Sequence, residues 1–176
     1  MPHHRVMRTS SETAVVRHAD PRDAGALNEI YNHYVQASAI SFALSPTTEA
    51  ERLDWLAEHP PRGPHRVVVA EEHGRPLGFA SSSRYRSREA YATSIETSVY
   101  VAEGWSGRGI GTALYEFLFA ALVEEDLHRA YAGITLPNPV SVALHRRFGF
   151  EHVGTFREQG RKFGRYWDVA WFEKSL

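Results

Sequence analysis

The sequence predicts an α+β fold: one curved, mixed but mostly antiparallel sheet flanked by helices. Three observations point there. Strand-like runs rich in Val, Phe and Tyr recur along the chain, separated by stretches with apolar residues at helical spacing. Two of the runs are joined by a four-residue polar turn, Glu72-His73-Gly74-Arg75, the mark of a hairpin. The helical stretches are inserted among hairpins rather than alternating strictly with single strands, which disfavours a parallel α/β sheet. At 176 residues the chain is long enough for one domain with a full core.

Ala14 to Arg17 reads as the first strand. Asp20-Pro21 then opens a helix, with Asp20 as N-cap and Pro21 at the first helical position. Ala24, Leu27, Ile30, Tyr31, Tyr34 and Val35 continue it on one face. Ser45 to Glu49 turns and caps a second helix carrying Leu53, Trp55 and Leu56, which His59 to Pro64 ends. Arg66–Glu71 and Pro76–Ser82 form the hairpin, and Ser83 to Glu89 is a polar loop or strand end. Ala92 to Val101 is a long strand that runs into a glycine-rich turn. A helix from about Gly109 to Glu125 presents Ile110, Leu114, Phe117, Leu118, Ala121 and Leu122. Ala130 to Leu136 is the next strand, and Asn138-Pro139 opens a helix containing Ser141, Leu144, His145 and Phe148. Phe150–Phe156 and Tyr166–Phe172 are the final strands.

Composition excludes several classes of function. With 20 Lys and Arg against 21 Asp and Glu, the formal net charge is -1. Nothing draws this chain as a whole to nucleic acid or an anionic membrane, so any phosphate binding is local. There is no cysteine, hence no disulfide framework, thiolate nucleophile or Cys-based zinc site, which fits a reducing cytoplasm. No apolar run approaches the roughly 20 residues that span a bilayer. His3, His4, His33, His59 and His65 show no metal-ligand spacing with other ligands, so no metal is predicted. Residues 1–13 lack a hydrophobic signal core and are expected to be a disordered tail before a domain over 14–176.

The chemistry concentrates around Ser106-Gly107-Arg108-Gly109-Ile110-Gly111-Thr112, between a strand and a helix. Glycines there let backbone N–H groups approach an anion, and the helix end adds partial positive charge. The loop is therefore a phosphate or pyrophosphate cradle. It lies too late in the chain and has the wrong spacing for a dinucleotide fingerprint. It also lacks the lysine of a nucleoside-triphosphate loop.

Ser106-Gly107-Arg108-Gly109-Ile110-Gly111 resembles the coenzyme A pyrophosphate loop of the GNAT superfamily of N-acetyltransferases, Gln/Arg-x-x-Gly-x-Gly/Ala, with Ser106 replacing the first residue. The order of elements over Val15 to Phe172 is similar to that family as well. Further segments look like its phosphinothricin and methionine sulfoximine branch. They are Asn32-His33-Tyr34, Ser41-Phe42, Arg86 to Tyr91, Ile95 to Val101, Leu136 to Val142, Leu144-His145 and Gly149-Phe150. The resemblance implies a single GNAT-like domain with a splayed central strand pair. It implies acetyl-CoA as co-substrate, a small-molecule amine as acceptor and a homodimer; the near-zero net charge already argues against a nucleic-acid or membrane partner.

Amine attack on a thioester needs a base, a stabilised oxyanion and a proton for the thiolate. Strand alternation sets Glu96, Ser98 and Tyr100 on one face and Ile95, Val99 and Val101 on the other. A carboxylate inside a central strand is costly to bury unless paired or useful. A salt-bridged or solvent-facing glutamate is the alternative for Glu96, and the resemblance implies the base. Tyr100 is either a core aromatic or part of the acceptor pocket, with its hydroxyl near the reacting groups. By the same resemblance, backbone groups of Val99, Tyr100 and Val101 hold the pantetheine arm, with the Val101 N–H on the oxyanion. The loop from Ser106 to Thr112 holds the pyrophosphate. Asn138 caps its helix and also contacts the coenzyme arm.

His145 stands where many members of the superfamily carry a general-acid tyrosine. Its imidazole could protonate the thiolate or assist Glu96, or it could be a packed structural histidine. Phe42, Tyr85, Arg86, Arg88 and Tyr91, with Glu96, are implied to form the acceptor site, the arginines facing the anionic end of an amino-acid analogue. A solvated surface loop is the alternative for those arginines. Arg161, Lys162 and Arg165 read as a solvated basic turn, with guarding the acceptor entrance or a dimer contact as alternatives. The expected activity is direct acetyl transfer from acetyl-CoA to the amine of a small amino acid or analogue. A GNAT enzyme for a polyamine, aminoglycoside or protein N-terminus, and a non-catalytic coenzyme A sensor, are the competing expectations.

Overall fold

The computed structural model describes residues 14–176, so the expected tail over residues 1–13 lies outside the described residues. Seven strands form one sheet: β1 (Val15–His18), β2 (Arg66–Glu72), β3 (Arg75–Arg84), β4 (Ser94–Val101), β5 (Arg129–Thr135), β6 (Glu151–Lys162) and β7 (Arg165–Ser175). Their order is β1-β2-β3-β4-β5-β7-β6, and β4–β5 is the parallel pair. Four helices accompany them: α1 (Ala24–Ala37), α2 (Glu49–Ala57), α3 (Ile110–Leu122) and α4 (Pro139–Arg147).

Side-chain caps stand where the sequence places them at α2, at α4 and at the turn that leads into α1. Asp20 accepts from the Arg22 N–H, and a short 3-10 turn from Pro21 to Asp23 feeds α1. Thr48 and Glu51 form a reciprocal capping box at α2. The apolar face of α2 departs from expectation. Leu53 is exposed, and Arg52 is buried in line with Leu56.

Both faces of the sheet are covered. On one, α3 packs Leu114, Tyr115 and Leu118 with Ile95, Phe150 and Phe172. On the other, Leu27, Leu56, Val67, Val69 and Phe79 form a second cluster under α1 and α2. At roughly 1.5–3 kcal/mol for each fully buried large apolar side chain, these two clusters dominate the driving force for folding.

The final hairpin is longer than the sequence predicts. Its outer half has no apolar alternation to mark it, and pairing from Gly160–Trp167 to Lys162–Arg165 extends both strands. One functional consequence of the topology is central. β4 and β5 pair only at Ser94–Arg129, Ile95–Ala130 and Glu96–Tyr131. Beyond Glu96 they part, leaving one side of the β4 backbone open.

Candidate active site

The splay exposes particular backbone groups. The Ala102 N–H donates to the Leu77 carbonyl at 2.8 Å, and Leu77, Phe79 and Ser81 alternate along β3. In an antiparallel ladder this makes Phe79–Tyr100 a hydrogen-bonded pair and turns the Val99 and Val101 amides away from β3. They point into the gap toward β5. The Val101 carbonyl there accepts from the Tyr34 hydroxyl at 2.6 Å. Burial pushes the Tyr34 phenol up, partly offset by that bond, so it stays a donor.

A groove of about 570 Å³ runs from this gap to the start of α3 and is bordered by Val99, Val101, Trp105, Gly111, Asn138 and Arg147, among others. Gly109 precedes α3 with φ +82°, a left-handed conformation that a Cβ disfavours. No side chain caps the helix, and its first backbone bond runs from the Ala113 N–H to the Gly109 carbonyl. The leading N–H groups are thus presented to an anion. Ser106, Gly107, Gly109, Ile110, Gly111 and Thr112 border the groove. The Arg108 side chain does not; its guanidinium lies 4.9 Å from the Trp105 ring centroid. Asn138 caps α4 by accepting from the Ser141 N–H at 3.1 Å, and borders this groove and the next cavity.

That next cavity, about 250 Å³, brings together Phe42, Glu96, Ser98, Tyr100, Asn138 and His145. The Glu96 carboxylate forms no hydrogen bond or ion pair with any described residue. Burial raises it above the ordinary carboxylate range. Tyr100 packs against Tyr31, Tyr34 and Phe79, and burial raises its phenol too, keeping its proton in place. His145 is only 3 % exposed. Its Nδ1 donates to the Ser141 carbonyl at 2.8 Å, and its Nε2 accepts from the Tyr115 hydroxyl at 2.9 Å. Burial holds the ring below its ordinary pKa, favouring the neutral form.

The remaining expected acceptor residues lie apart. Tyr85 stacks on Tyr131 with centroids 4.3 Å apart, and Arg86 lies over Tyr85 and Tyr91. Arg86 and Arg88 are exposed, and neither they nor Tyr85 and Tyr91 border these two cavities. Lys162 departs from the solvated-turn reading, while Arg161 and Arg165 are exposed as that reading expects. Lys162 is 4 % exposed, and its Nζ donates to the Ser41 carbonyl at 2.6 Å. Its neighbour Gly160 packs under the Phe42 ring. Tyr34, Trp105 and Arg147 are groove residues that the sequence reading missed; Tyr34 sat in a helical stripe indistinguishable from core. Among the described residues no group of three or more His, Asp or Glu could hold a metal ion. Among the described residues no helix is long and apolar enough to cross a membrane.

Known proteins resemble this chain along most of its length. A family model described as acetyltransferase (GNAT) family matches residues 27–150. A phosphinothricin N-acetyltransferase of Streptomyces coelicolor is 58% identical over 163 residues, covering 92% of this chain and 95% of that one. An L-methionine sulfoximine/L-methionine sulfone acetyltransferase of Pseudomonas paraeruginosa is 32% identical over 164 residues, covering 93% and 95%. Among solved structures, a GNAT superfamily phosphinothricin acetyltransferase from Sinorhizobium meliloti in complex with acetyl-CoA aligns with TM-score 0.84. It is 32% identical, over 93% of this chain and 89% of that one.

Proposed function

We propose that this chain, which belongs to the acetyltransferase (GNAT) family and is an acetyl-CoA-dependent N-acetyltransferase, acetylates the α-amine of a small amino acid or analogue of the phosphinothricin and methionine sulfoximine type. One observation carries the reading: an unpaired, half-buried carboxylate, Glu96, beside a groove suited to coenzyme A.

Acetyl-CoA supplies the activated acetyl thioester. The uncapped start of α3 and the glycine turn before it fit its pyrophosphate. The free edge of β4 at Val99 and Val101 fits an amide-bearing arm, which binds as a strand would. Glu96 takes a proton from the acceptor ammonium, directly or through water, freeing the nitrogen lone pair. That nitrogen bonds to the acetyl carbon while the Val101 N–H holds the developing oxyanion. The carbon–sulfur bond then breaks, and the departing sulfur takes the proton that the nitrogen sheds on becoming an amide. That proton is relayed through the Tyr100 hydroxyl, which ends with its own proton restored while Glu96 releases its proton to solvent. Direct transfer follows from the absence of any cysteine to carry an acyl group. His145, neutral and bonded at both nitrogens, orders the cavity wall through Ser141.

Arg86 and Arg88, exposed near the end of β3, attract an anionic acceptor from solution and disfavour polyamines and aminoglycosides. The cysteine-free sequence and the use of acetyl-CoA support a cytoplasmic enzyme. Exposed Val153, Phe156, Phe163 and Tyr166 on the β6–β7 hairpin support a homodimer through that face. The test is thiol release from acetyl-CoA over a panel of phosphinothricin, methionine sulfoximine, common amino acids and spermidine. Turnover confined to the amino-acid acceptors is expected. Turnover of spermidine alone overturns the acceptor class, and acetyl-CoA binding without turnover of anything favours a sensor.

A further inference from the structure

On the α1–α2 side of the sheet lies a cavity of about 280 Å³ of which the mechanism above uses only Tyr100. Its walls include Tyr31, Arg52, Trp55, Ser81, Ser98 and Tyr100. Arg52 is its unusual member. The residue is 6 % exposed, and its guanidinium stacks 4.4 Å from the Tyr31 ring centroid and 4.7 Å from that of Trp55. Those contacts favour the cation but satisfy none of its five N–H donors. Its Nε has no hydrogen-bond partner, and the guanidinium forms no ion pair with any described residue. A charge taken out of water this far is costly unless an acceptor completes it.

The floor of the cavity connects it to the reaction. Phe79–Tyr100, Ser81–Ser98 and Ser83–Glu96 are paired across β3 and β4, so all six side chains share one face. The Ser81 and Ser98 hydroxyls hydrogen-bond at 2.9 Å. Tyr100 and Ser98 border this cavity and the one holding Glu96. The other charged side chain on the lining is Glu51. Its carboxylate is committed to the α2 cap, accepting from the Thr48 N–H at 2.7 Å and the Thr48 hydroxyl at 2.9 Å.

A zwitterionic acceptor offers one cation and one oxyanion. This face offers one unpaired carboxylate and one unpaired guanidinium, flanking Tyr100. We propose that Arg52 binds the oxyanion of the acceptor, its carboxylate or phosphinate, while the amine of the same molecule reaches Glu96. The inference rests on the amino-acid reading of the acceptor. It moves the recognition of charge from the exposed Arg86–Arg88 loop to a buried fork suited to bidentate pairing.

The test is equilibrium binding by calorimetry in the presence of coenzyme A, where no turnover occurs. The probes are phosphinothricin, methionine sulfoximine and decarboxylated phosphinothricin, which keeps its amine and phosphinate. Arg52→Met keeps a long stem for the aromatic stack and removes the fork. Losing a charge-assisted pair should weaken binding about 10- to 100-fold. Loss on the two amino acids but not the decarboxylated probe identifies the α-carboxylate as the ligand. Loss on the two phosphinates but not methionine sulfoximine identifies the distal group. Equal loss on all three, or no loss, overturns the proposal. Should Arg52→Met fail to fold, Arg52→Lys keeps the charge and reads the same three arms. Wild-type binding without turnover refutes acetyl transfer and leaves the Arg52 site standing. Turnover with binding indifferent to Arg52 does the reverse.

Discussion

The Tyr115 hydroxyl sits 2.9 Å from Nε2 of His145, inside the core under α3, while the Ser141 carbonyl, which can only accept, sets the proton on Nδ1. With Nδ1–H donated to the Ser141 carbonyl, Nε2 must accept. The two bonds orient His145 at the edge of the Glu96 cavity, and burial, partly offset by the bond to Ser141, favours its neutral form. Tyr115→Phe leaves Nε2 without a donor in a buried site. It should lower unfolding free energy by about 1–3 kcal/mol, read by urea denaturation. A change within error means that the ring finds another partner.

The same burial makes stability pH-dependent. An unfolded histidine takes its proton near 6.5, whereas burial holds the folded His145 lower. Below about pH 6.5 the unfolded state binds more protons, so stability is full above that pH and falls as pH drops toward the folded value. His18 and His59, also lowered by burial, steepen the slope. Melting temperature measured from pH 7.5 to 5 should fall. His145→Gln should flatten the curve even though it lowers the starting value, and an unchanged slope refutes the assignment.

Glu96 gives the sharpest kinetic expectation. Glu96→Gln is nearly isosteric, so the KM for acetyl-CoA should not move. General-base loss should lower kcat/KM about 10²- to 10⁴-fold at neutral pH. Its carboxyl is raised by burial, so the acid limb of the wild-type kcat/KM profile should lie above the ordinary glutamate value. That limb should vanish in Glu96→Gln. Full activity in the variant refutes the base assignment.

The donor groove predicts a different split. Arg147 is exposed on α4 and borders the groove opposite the start of α3. Arg147→Ala should raise the KM for acetyl-CoA about two- to fivefold with kcat unchanged, an effect that shrinks in high salt. Gly109→Ala forces a Cβ into the left-handed region at about 1–2 kcal/mol. It should weaken the donor through the cradle backbone at any salt. A salt-independent Arg147 effect argues against a phosphate contact.

How much of this was legible depends on whether a signal was local. The caps at Asp20, Thr48 and Asn138 and the glycine turn are local chemistry, and the elements they bound stand where the sequence puts them. The alternation of Ile95, Glu96 and Ser98 likewise places Glu96 on the face that lines the cavity. What escaped depends on pairing across distance. Arg52 and Lys162 carry side chains that normally seek water, so nothing local announces their burial. Tyr34 shares a stripe with core residues, and only tertiary contact puts its hydroxyl on Val101. The outer half of β6 carries no apolar period because β7 supplies its bonds.

Lys162 and Gly160 provide the last expectation, since together they hold the loop bearing Phe42 against the acceptor cavity. Lys162 Nζ grips the Ser41 carbonyl, and a Cβ on Gly160 would lie 2.3 Å from the Phe42 ring. No real Cβ contact is that short, so Gly160→Ala must push the ring or the strand aside. Phe42 borders the cavity with Glu96, so the displacement should raise the KM for the acceptor while the KM for acetyl-CoA stays put. Phe42→Leu removes the obstructing ring edge, so the double variant should lose less than the sum of the two single changes. Lys162→Met frees the loop in a different way. It removes a charged hydrogen bond worth about 1.5–3 kcal/mol and a desolvation cost of opposite sign. Stability should therefore change less than acceptor affinity does. Additive effects of Gly160→Ala and Phe42→Leu would show that the two residues act separately, and that the β6–β7 hairpin does not position the acceptor loop.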